Sequence, residues 1–312
     1  MRRVLVCEEM DAAGLELLAQ RVEVDHRPGL WSDPAALRQG ARDAEALIVR
    51  NRTRVDRALV EASVRLRVVG RLGVGLDNID AEALAERGVA LVVPRGVNAA
   101  SVAEYVLAAM LTVSRDLAGA WAAVREGRWD RERFVGQELS GKTLGIVGMG
   151  AVGRRLALRA RAMGMNLLAS DPRADLAELP LAESAVTLLD LDELLSRSDF
   201  VSLHCPLTPA TRRLLDARRI ARLGPDAVLI NAARGALVDE AALFDALSNG
   251  RLRLAVLDVR EVEPPAVPDP LARLDNVLLT PHVAGSTREA FRRAGLRVAR
   301  GVLTALDAPP GP

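Results

Sequence analysis

The 312-residue sequence predicts an α/β protein built from two doubly wound parallel-sheet domains with a cleft between them. Three observations carry that prediction. Short apolar runs of strand length alternate with amphipathic helical patterns along nearly the whole chain. Residues 144–153 read Leu-Gly-Ile-Val-Gly-Met-Gly-Ala-Val-Gly, an apolar run entering a glycine turn. Asp171 closes the next apolar run, 18 residues after the last of those glycines. The length itself suits two domains rather than one.

In chain order, Val4–Cys7, Val22–Asp25, Ala46–Val49, Val68–Gly70 and Val89–Val92 read as strands. The stretches Gly14–Leu18, Ala35–Gln39 and Ala81–Glu86 suit amphipathic helices between them. Together they make a first α/β unit over residues 1–97. A long apolar helix is expected from Ser101 to Val124, with Ala103, Val106, Leu107, Met110 and Leu111 in helical spacing, and its stripe reads as subunit interface or interdomain packing. Thr143–Val147 and Asn166–Ser170 flank a helix of about Ala151 to Met163. Further strands are expected at Phe200–Leu203, Ala227–Asn231, Leu254–Asp258 and Val277–Thr280, separated by helices at Asp216–Arg222 and Asp239–Leu247. A last helix, Thr287–Leu306, packs back on the first unit. The expected domains are therefore 1–97 plus 286–312, for substrate, and 98–285, for a dinucleotide.

The glycine turn has a physical reading as a Rossmann-like nucleotide site. Gly148 allows the tight turn. Gly150 has no side chain, so a pyrophosphate can approach the backbone. Gly153 lets the helix pack closely on the strand. The N–H groups and positive dipole end at Ala151 and Val152 then face the phosphates. Asp171 is placed to accept from both ribose hydroxyls and would repel a 2′-phosphate, which favours NAD over NADP. Arg173, close behind it, is able to meet such a phosphate and leaves NADP acceptance open.

Ligands of such sheets bind beyond the carboxyl ends of the strands. The polar residues there are His204-Cys205-Pro206, Asn231-Ala232-Ala233-Arg234-Gly235, Asp258, Glu263 and His282. A guanidinium at Arg234 can hold a carboxylate in bidentate fashion and polarise a carbonyl beside it. His282 is suited to proton transfer near neutral pH, with Glu263 as the partner that stabilises its imidazolium. His204 reads as a structural or cofactor-loop residue and His26 as a solvated loop residue. Asp199 and Asp216 read as turn or helix-cap residues, and Asp77 with Asn78 as a turn.

Composition narrows the classes. Lys+Arg and Asp+Glu nearly cancel at 42 and 41, so no global charge favours nucleic acid or a membrane surface. Lys142 is the only lysine. Cys7 and Cys205 are far apart and form neither metal-ligand spacing nor a disulfide framework. No metal is expected. Without a leader-like segment or an apolar run of transmembrane length, a reducing cytosol is the expected location.

The chain resembles the D-isomer-specific 2-hydroxyacid dehydrogenases, and most the D-3-phosphoglycerate dehydrogenase branch. The carriers include Leu47-Ile-Val-Arg50, the run from Val69 to Asp80, Asn98 with Ser101-Val-Ala-Glu104, the run from Gly141 to Gly148, His204-Cys-Pro-Leu-Thr208, Asn231-Ala-Ala-Arg-Gly235, Val238-Asp-Glu240, Leu257-Asp258, Glu263-Pro-Pro265 and Pro281-His282. The resemblance implies an NAD-dependent enzyme passing a hydride between nicotinamide and C2 of a 2-hydroxy acid. It implies Arg234, Glu263 and His282 as the catalytic set. It places pyrophosphate on Ala151 and Val152, ribose on Asp171, and the rest of the cofactor near Cys205, Pro206, Ala232, Arg234, Asp258, His282 and Gly285. Arg50, Arg71, Val74, Gly75 and Asn98 are the implied substrate residues. Arg50 and Arg71 would meet a second anion, as in 3-phosphoglycerate or 3-sulfolactate, with Arg131 and Arg133 arriving from a neighbouring subunit of a homodimer. Arg52 departs from the smaller residues of phosphoglycerate enzymes. Arg260 stands where the family suggests an aromatic, and either adds charge near the site or lies on the surface. The competing readings are an NAD-sensing binding protein of the corepressor type and a dehydrogenase of a simple monoanionic 2-hydroxy acid.

Overall fold

Parallel strands alternate with helices in both of the units into which the chain divides, Met1–Asn98 with Ser286–Pro312, and Ala99–Gly285. The computed structural model describes residues 2–172 and 186–309. Arg173 lies outside the described residues.

The first unit has strands β1 (Arg3–Val6), β2 (Glu23–His26), β3 (Ala46–Val49), β4 (Val68–Arg71) and β5 (Ala90–Val92), all parallel in the order β2-β1-β3-β4-β5. Strand side chains alternate between faces, and both faces are apolar because both are covered. Leu5, Leu47, Val49 and Val69 pack with Leu37, Leu59 and Leu84 from helices α2 (Pro34–Ala41), α3 (Arg57–Ala62) and α4 (Ala81–Glu86). Val4, Val6, Ile48 and Val68 pack on Leu18 of α1 (Ala12–Ala19) and on Val298, Val302 and Leu306 of the last helix, Arg288–Asp307. Gly70 is needed for that approach, since a Cβ there would come within 2.6 Å of Val298 and 2.9 Å of Val302. Aspartates start the four helices before residue 90: Asp11, Asp33, Asp56 and Asp80 each accept backbone N–H bonds in the first turn. Such caps are each worth about 1 kcal/mol.

The second unit carries β6 (Thr143–Val147), β7 (Asn166–Ser170), β8 (Val186–Leu188), β9 (Phe200–Leu203), β10 (Val228–Asn231), β11 (Leu254–Leu257) and β12 (Val277–Leu279). Their order is β12-β11-β10-β9-β6-β7-β8, parallel throughout. The order reverses between β6 and β9, the switch point of a doubly wound nucleotide-binding sheet. Helices α5 (Ala99–Arg115), α6 (Leu117–Arg125), α7 (Ala151–Ala162), α8 (Leu191–Arg197), α9 (Ala217–Ile220) and α10 (Glu240–Ser248) complete the unit.

The structure corrects several sequence expectations. The single helix expected over residues 101–124 is two, bent by 58° where Asp116 adopts a left-handed conformation (φ 44°) and caps α6 through Gly119 N–H. The first part of its apolar stripe is core rather than interface. Ala103, Val106 and Met110 are buried in this unit's own core against Leu144, Ile146 and Leu156. Asp199 sits in the bend before β9 rather than capping a helix, and its carboxylate accepts the Thr143 N–H at 2.8 Å and so fixes the start of β6. His26 ends strand β2 rather than sitting in a loop, although it is exposed. The short α3, α8 and β8 carry too few residues to show a period and had no counterpart in the pattern.

Among the described residues no single helix is long and apolar enough to cross a membrane; α5 and α6 pass that test only together, as a bent pair. No group of His, Cys, Asp or Glu among them is placed to hold a metal ion.

Candidate active site

Gly148 follows β6 and takes φ +102°, open only to glycine. A Cβ there would also lie 2.7 Å from the backbone of His204 and Cys205, which follow β9. Gly153 is equally constrained, its missing Cβ falling 2.2 Å from the Gly148 carbonyl oxygen. Gly150 differs: it caps α7 without a side-chain bond, and nothing lies within 4 Å of where its Cβ would be. The first turn of α7 thus opens, at Gly150, Ala151 and Val152, onto free space at the switch point. That is a cradle for a pyrophosphate. Asp171 follows β7, and its Oδ2 accepts the Met149 N–H at 2.8 Å, so the ribose candidate also ties the glycine turn to the neighbouring strand. These residues fit a dinucleotide.

Cys205 is half-buried, and burial pushes its thiol up to about 11, so it packs as a neutral group. Pro206 is exposed and Ala232 and Gly285 are half-buried. His204 Nε2 lies 2.9 Å from Ser202 Oγ, and burial lowers its pKa to about 4. The folded protein therefore holds it neutral, while the unfolded chain protonates it near 6.5. The stabilisation is fully present above that value and is lost as pH falls from 6.5 towards 4. Because His204 is half-buried rather than fully enclosed, we expect a loss of only about 1–2 kcal/mol. Chemical denaturation of wild type and His204→Gln at pH 7.5 and 4.5 checks this; equal pH sensitivity in the two would refute it.

Arg234 follows β10. The buried Asn231 shapes its turn, accepting the Ala233 N–H at 3.1 Å and donating Nδ2–H to the Arg234 carbonyl at 2.9 Å. The Arg234 guanidinium is half-buried and donates to the Ala233 carbonyl at 2.7 Å. His282 follows β12 in a left-handed conformation (φ 55°), with its ring half-exposed. Its Nδ1 lies 2.7 Å from Glu263 Oε2. A carboxylate only accepts, so the neutral ring carries its proton on Nδ1 and turns Nε2 outward as the proton-transfer atom.

The loop bearing His282 is fastened by Asp258, which is 1% exposed. Its carboxylate accepts from Val283 N–H, Ala284 N–H and Thr280 Oγ1–H at 2.8, 2.8 and 2.6 Å, and its carbonyl accepts the His282 N–H at 2.8 Å. Tyr105 Oη reaches Thr280 Oγ1 at 2.6 Å, and burial raises its phenol so that it stays protonated. The sequence marked Asp258 only as a cofactor-lining residue. Its loop-fastening role, and that of Tyr105, follow from tertiary contacts that no spacing displays.

In the first unit the switch point lies between β1 and β3, and a residue the sequence reading missed sits there. Glu8, 4% exposed, accepts the backbone N–H groups of Arg50, Asn51, Arg52 and Thr53 at 2.6, 3.2, 3.1 and 3.0 Å. Burial opposes its charge, but those N–H groups outweigh burial and hold its carboxyl below the usual range. Its position two residues after β1 was the available signal. Asn78 donates to the Arg50 and Thr53 carbonyls at 3.2 and 2.6 Å, so it braces this loop rather than merely making a turn. Arg50 stacks on Phe291 and the exposed Arg52 on Trp31. Arg71 ends β4, is 8% exposed, and lays its guanidinium over Gly73. Val74 is exposed; Gly75 and Asn98 are half-buried.

A seven-stranded parallel sheet with a glycine cradle and an acid at its switch point defines a dinucleotide-binding protein of the α/β class. The match is closer than class. The model of the D-isomer specific 2-hydroxyacid dehydrogenase NAD binding domain matches residues 107–284. The chain belongs to that family, and NAD is its cofactor. It is 42% identical over 302 residues to a D-3-phosphoglycerate dehydrogenase of Methanocaldococcus jannaschii, covering 97% of this chain and 57% of that protein. It is 38% identical over 307 residues to a hydroxypyruvate reductase of Thermotoga maritima, covering 97% of this chain and 98% of that one. The chain thus spans little more than half the length of the phosphoglycerate dehydrogenase relatives it matches. The crystal structure of the TT0316 protein from Thermus thermophilus superposes with a TM-score of 0.90 at 36% identity, covering 99% of this chain and 98% of that one.

Proposed function

We propose that the protein is an NAD-dependent oxidoreductase that interconverts a D-2-hydroxy acid and its 2-keto acid. The observation that carries this reading is the Glu263–His282 pair, held at 2.7 Å at the same strand-end edge of the sheet as the glycine cradle. When bound, NADH supplies the hydride that reaches C2. In that direction His282 donates its Nε2 proton to the forming alkoxide, and Glu263 stabilises the imidazolium beforehand. Arg234 holds the substrate carboxylate and polarises the C2 carbonyl. One keto acid, one NADH and one proton become one hydroxy acid and NAD; oxidation reverses each step, with His282 as base.

The preferred substrate in this proposal carries a second anion, as 3-phosphoglycerate and 3-sulfolactate do. Arg50 and Arg71 are the cations assigned to it, with Val74, Gly75 and Asn98 as further substrate contacts. The support is the Glu8-braced loop at the switch point of the first unit, where α/β sheets bind ligands. Hydroxypyruvate, which one full-length relative's name specifies as a substrate, is the monoanionic comparison. We assign a homodimer to the same proposal, supported by the exposed Leu117, Trp121, Val124, Trp129 and Val135 on and after α6. Sedimentation would show a monomer if that is wrong. The proposed location is the cytosol, in keeping with the free thiols of Cys7 and Cys205.

The test is NADH formation with D-3-phosphoglycerate, 3-sulfolactate, D-glycerate and D-lactate, each with NAD and NADP. We expect turnover with NAD and a higher kcat/KM for one of the two dianions. A preference for D-lactate or D-glycerate would discard the second-anion assignment. No turnover despite NAD binding would discard the enzyme in favour of an NAD-responsive binding protein.

A further inference from the structure

We propose that Arg260 is a positioning residue for the acid–base pair, holding the backbone that sets Glu263 against His282. The inference rests on the dehydrogenase reading of that pair. Arg260 lies three residues past β11, and its side chain is only 11% exposed, so it does not lie on the surface. Its guanidinium grips two carboxylates. Nε and Nη2 donate to Glu240 at 3.1 and 2.9 Å, and Nη1 and Nη2 to Asp269, the latter at 3.1 Å.

What this anchor fixes is the chain on either side of it. The Arg260 N–H donates to Glu263 Oε1 at 3.0 Å, leaving Oε2 for His282. The next N–H, of Glu261, donates to the same Glu240 carboxylate at 2.7 Å. On its other side the Arg260 carbonyl packs on Gly235, where a Cβ would stand 1.9 Å from the Arg260 carbonyl carbon. Gly235 follows Arg234 directly, and Glu240 opens α10 after that same turn. One side chain therefore ties together the segment that presents Arg234 and the segment that presents Glu263. Two carboxylates more than offset the guanidinium's charge, so the influence assigned to it at His282 is geometric rather than that of a free cation.

The test compares Arg260→Met with wild type in three readouts: kcat for hydroxypyruvate reduction, NADH affinity by fluorescence, and the ¹⁵N spectrum of the three histidine rings, with His282 assigned by its loss in His282→Asn. Melting temperature confirms folding. We expect kcat to fall about 10–100-fold with NADH affinity unchanged. We also expect the neutral His282 ring to move from the Nδ1–H form to mainly the Nε2–H form as Glu263 leaves it. A folded Arg260→Met that keeps wild-type kcat and the Nδ1 proton overturns the proposal, as does a kcat loss matched by weaker NADH binding. If Arg260→Met does not fold, Asp269→Asn decides. It leaves Arg260 paired with Glu240 and should give a smaller change in the same direction; no change in either kcat or tautomer overturns the proposal. The ring spectrum needs no turnover. An inactive wild type that shows the Nδ1 form therefore defeats the dehydrogenase reading and not the positioning role.

Discussion

His282→Asn lowers kcat for 2-keto acid reduction by about 10²–10⁴-fold and leaves NADH affinity unchanged. Asparagine is the informative replacement for two reasons. It is among the few residues that accept the left-handed backbone at this position (φ 55°), so the Asp258-fastened loop survives. It also keeps a donor near Glu263 while losing the titratable nitrogen. The loss is then assignable to proton transfer rather than to collapse of the turn. Steady-state kinetics with an NADH titration decide it. A variant within about tenfold of wild type would mean that another group supplies the proton.

Glu8→Gln destabilises the first unit by about 3 kcal/mol and raises KM for a dianionic substrate more than it lowers kcat. The carboxylate accepts four backbone N–H groups with two charged oxygens; an amide offers one neutral oxygen and turns a donor toward the remaining N–H groups. Those N–H groups belong to the loop that sets the directions of Arg50 and Arg52. Because the carboxyl lies below its ordinary value of 4.5 in the folded state, its contribution is whole above that pH and is lost as pH falls through the lowered value. Wild type should therefore lose stability below pH 4.5 more steeply than the variant. Denaturant melts of both proteins across that range measure the difference. An unchanged midpoint in Glu8→Gln would show that water replaces the carboxylate at no cost.

Most of the architecture was legible because the signals were local. A buried parallel strand is a short apolar run, and nearly every described strand announces itself so. Two strands show the limits of that signal. Glu23–His26, at a sheet edge with mixed polarity, begins and ends one residue later than its pattern suggests, and Val186–Leu188 is too short to stand out. The glycine turn was legible because each glycine answers a separate steric demand, which the backbone at Gly148, Gly150 and Gly153 meets. The contact between Glu263 and His282 could be named from chemistry. What holds it could not, since Arg260 reaches 20 residues back to Glu240 and 9 forward to Asp269. Glu8 acts across 42 to 45 residues. The missed break at Asp116 is different in kind: the apolar pattern gives no sign of it, and it rests on one residue's left-handed φ and ψ.

The last helix, Arg288–Asp307, shares with α1 the covering of one face of a sheet whose strands are all made before residue 93. On a ribosome, that face has only α1 to cover it while residues 99–285 are synthesised. The nucleotide-binding unit is contiguous and can close as soon as β12 emerges, whereas the first sheet must wait with Val4, Val6, Ile48 and Val68 only partly shielded. The unit that starts first is thus the one whose last core helix is made last, after the whole of the other unit.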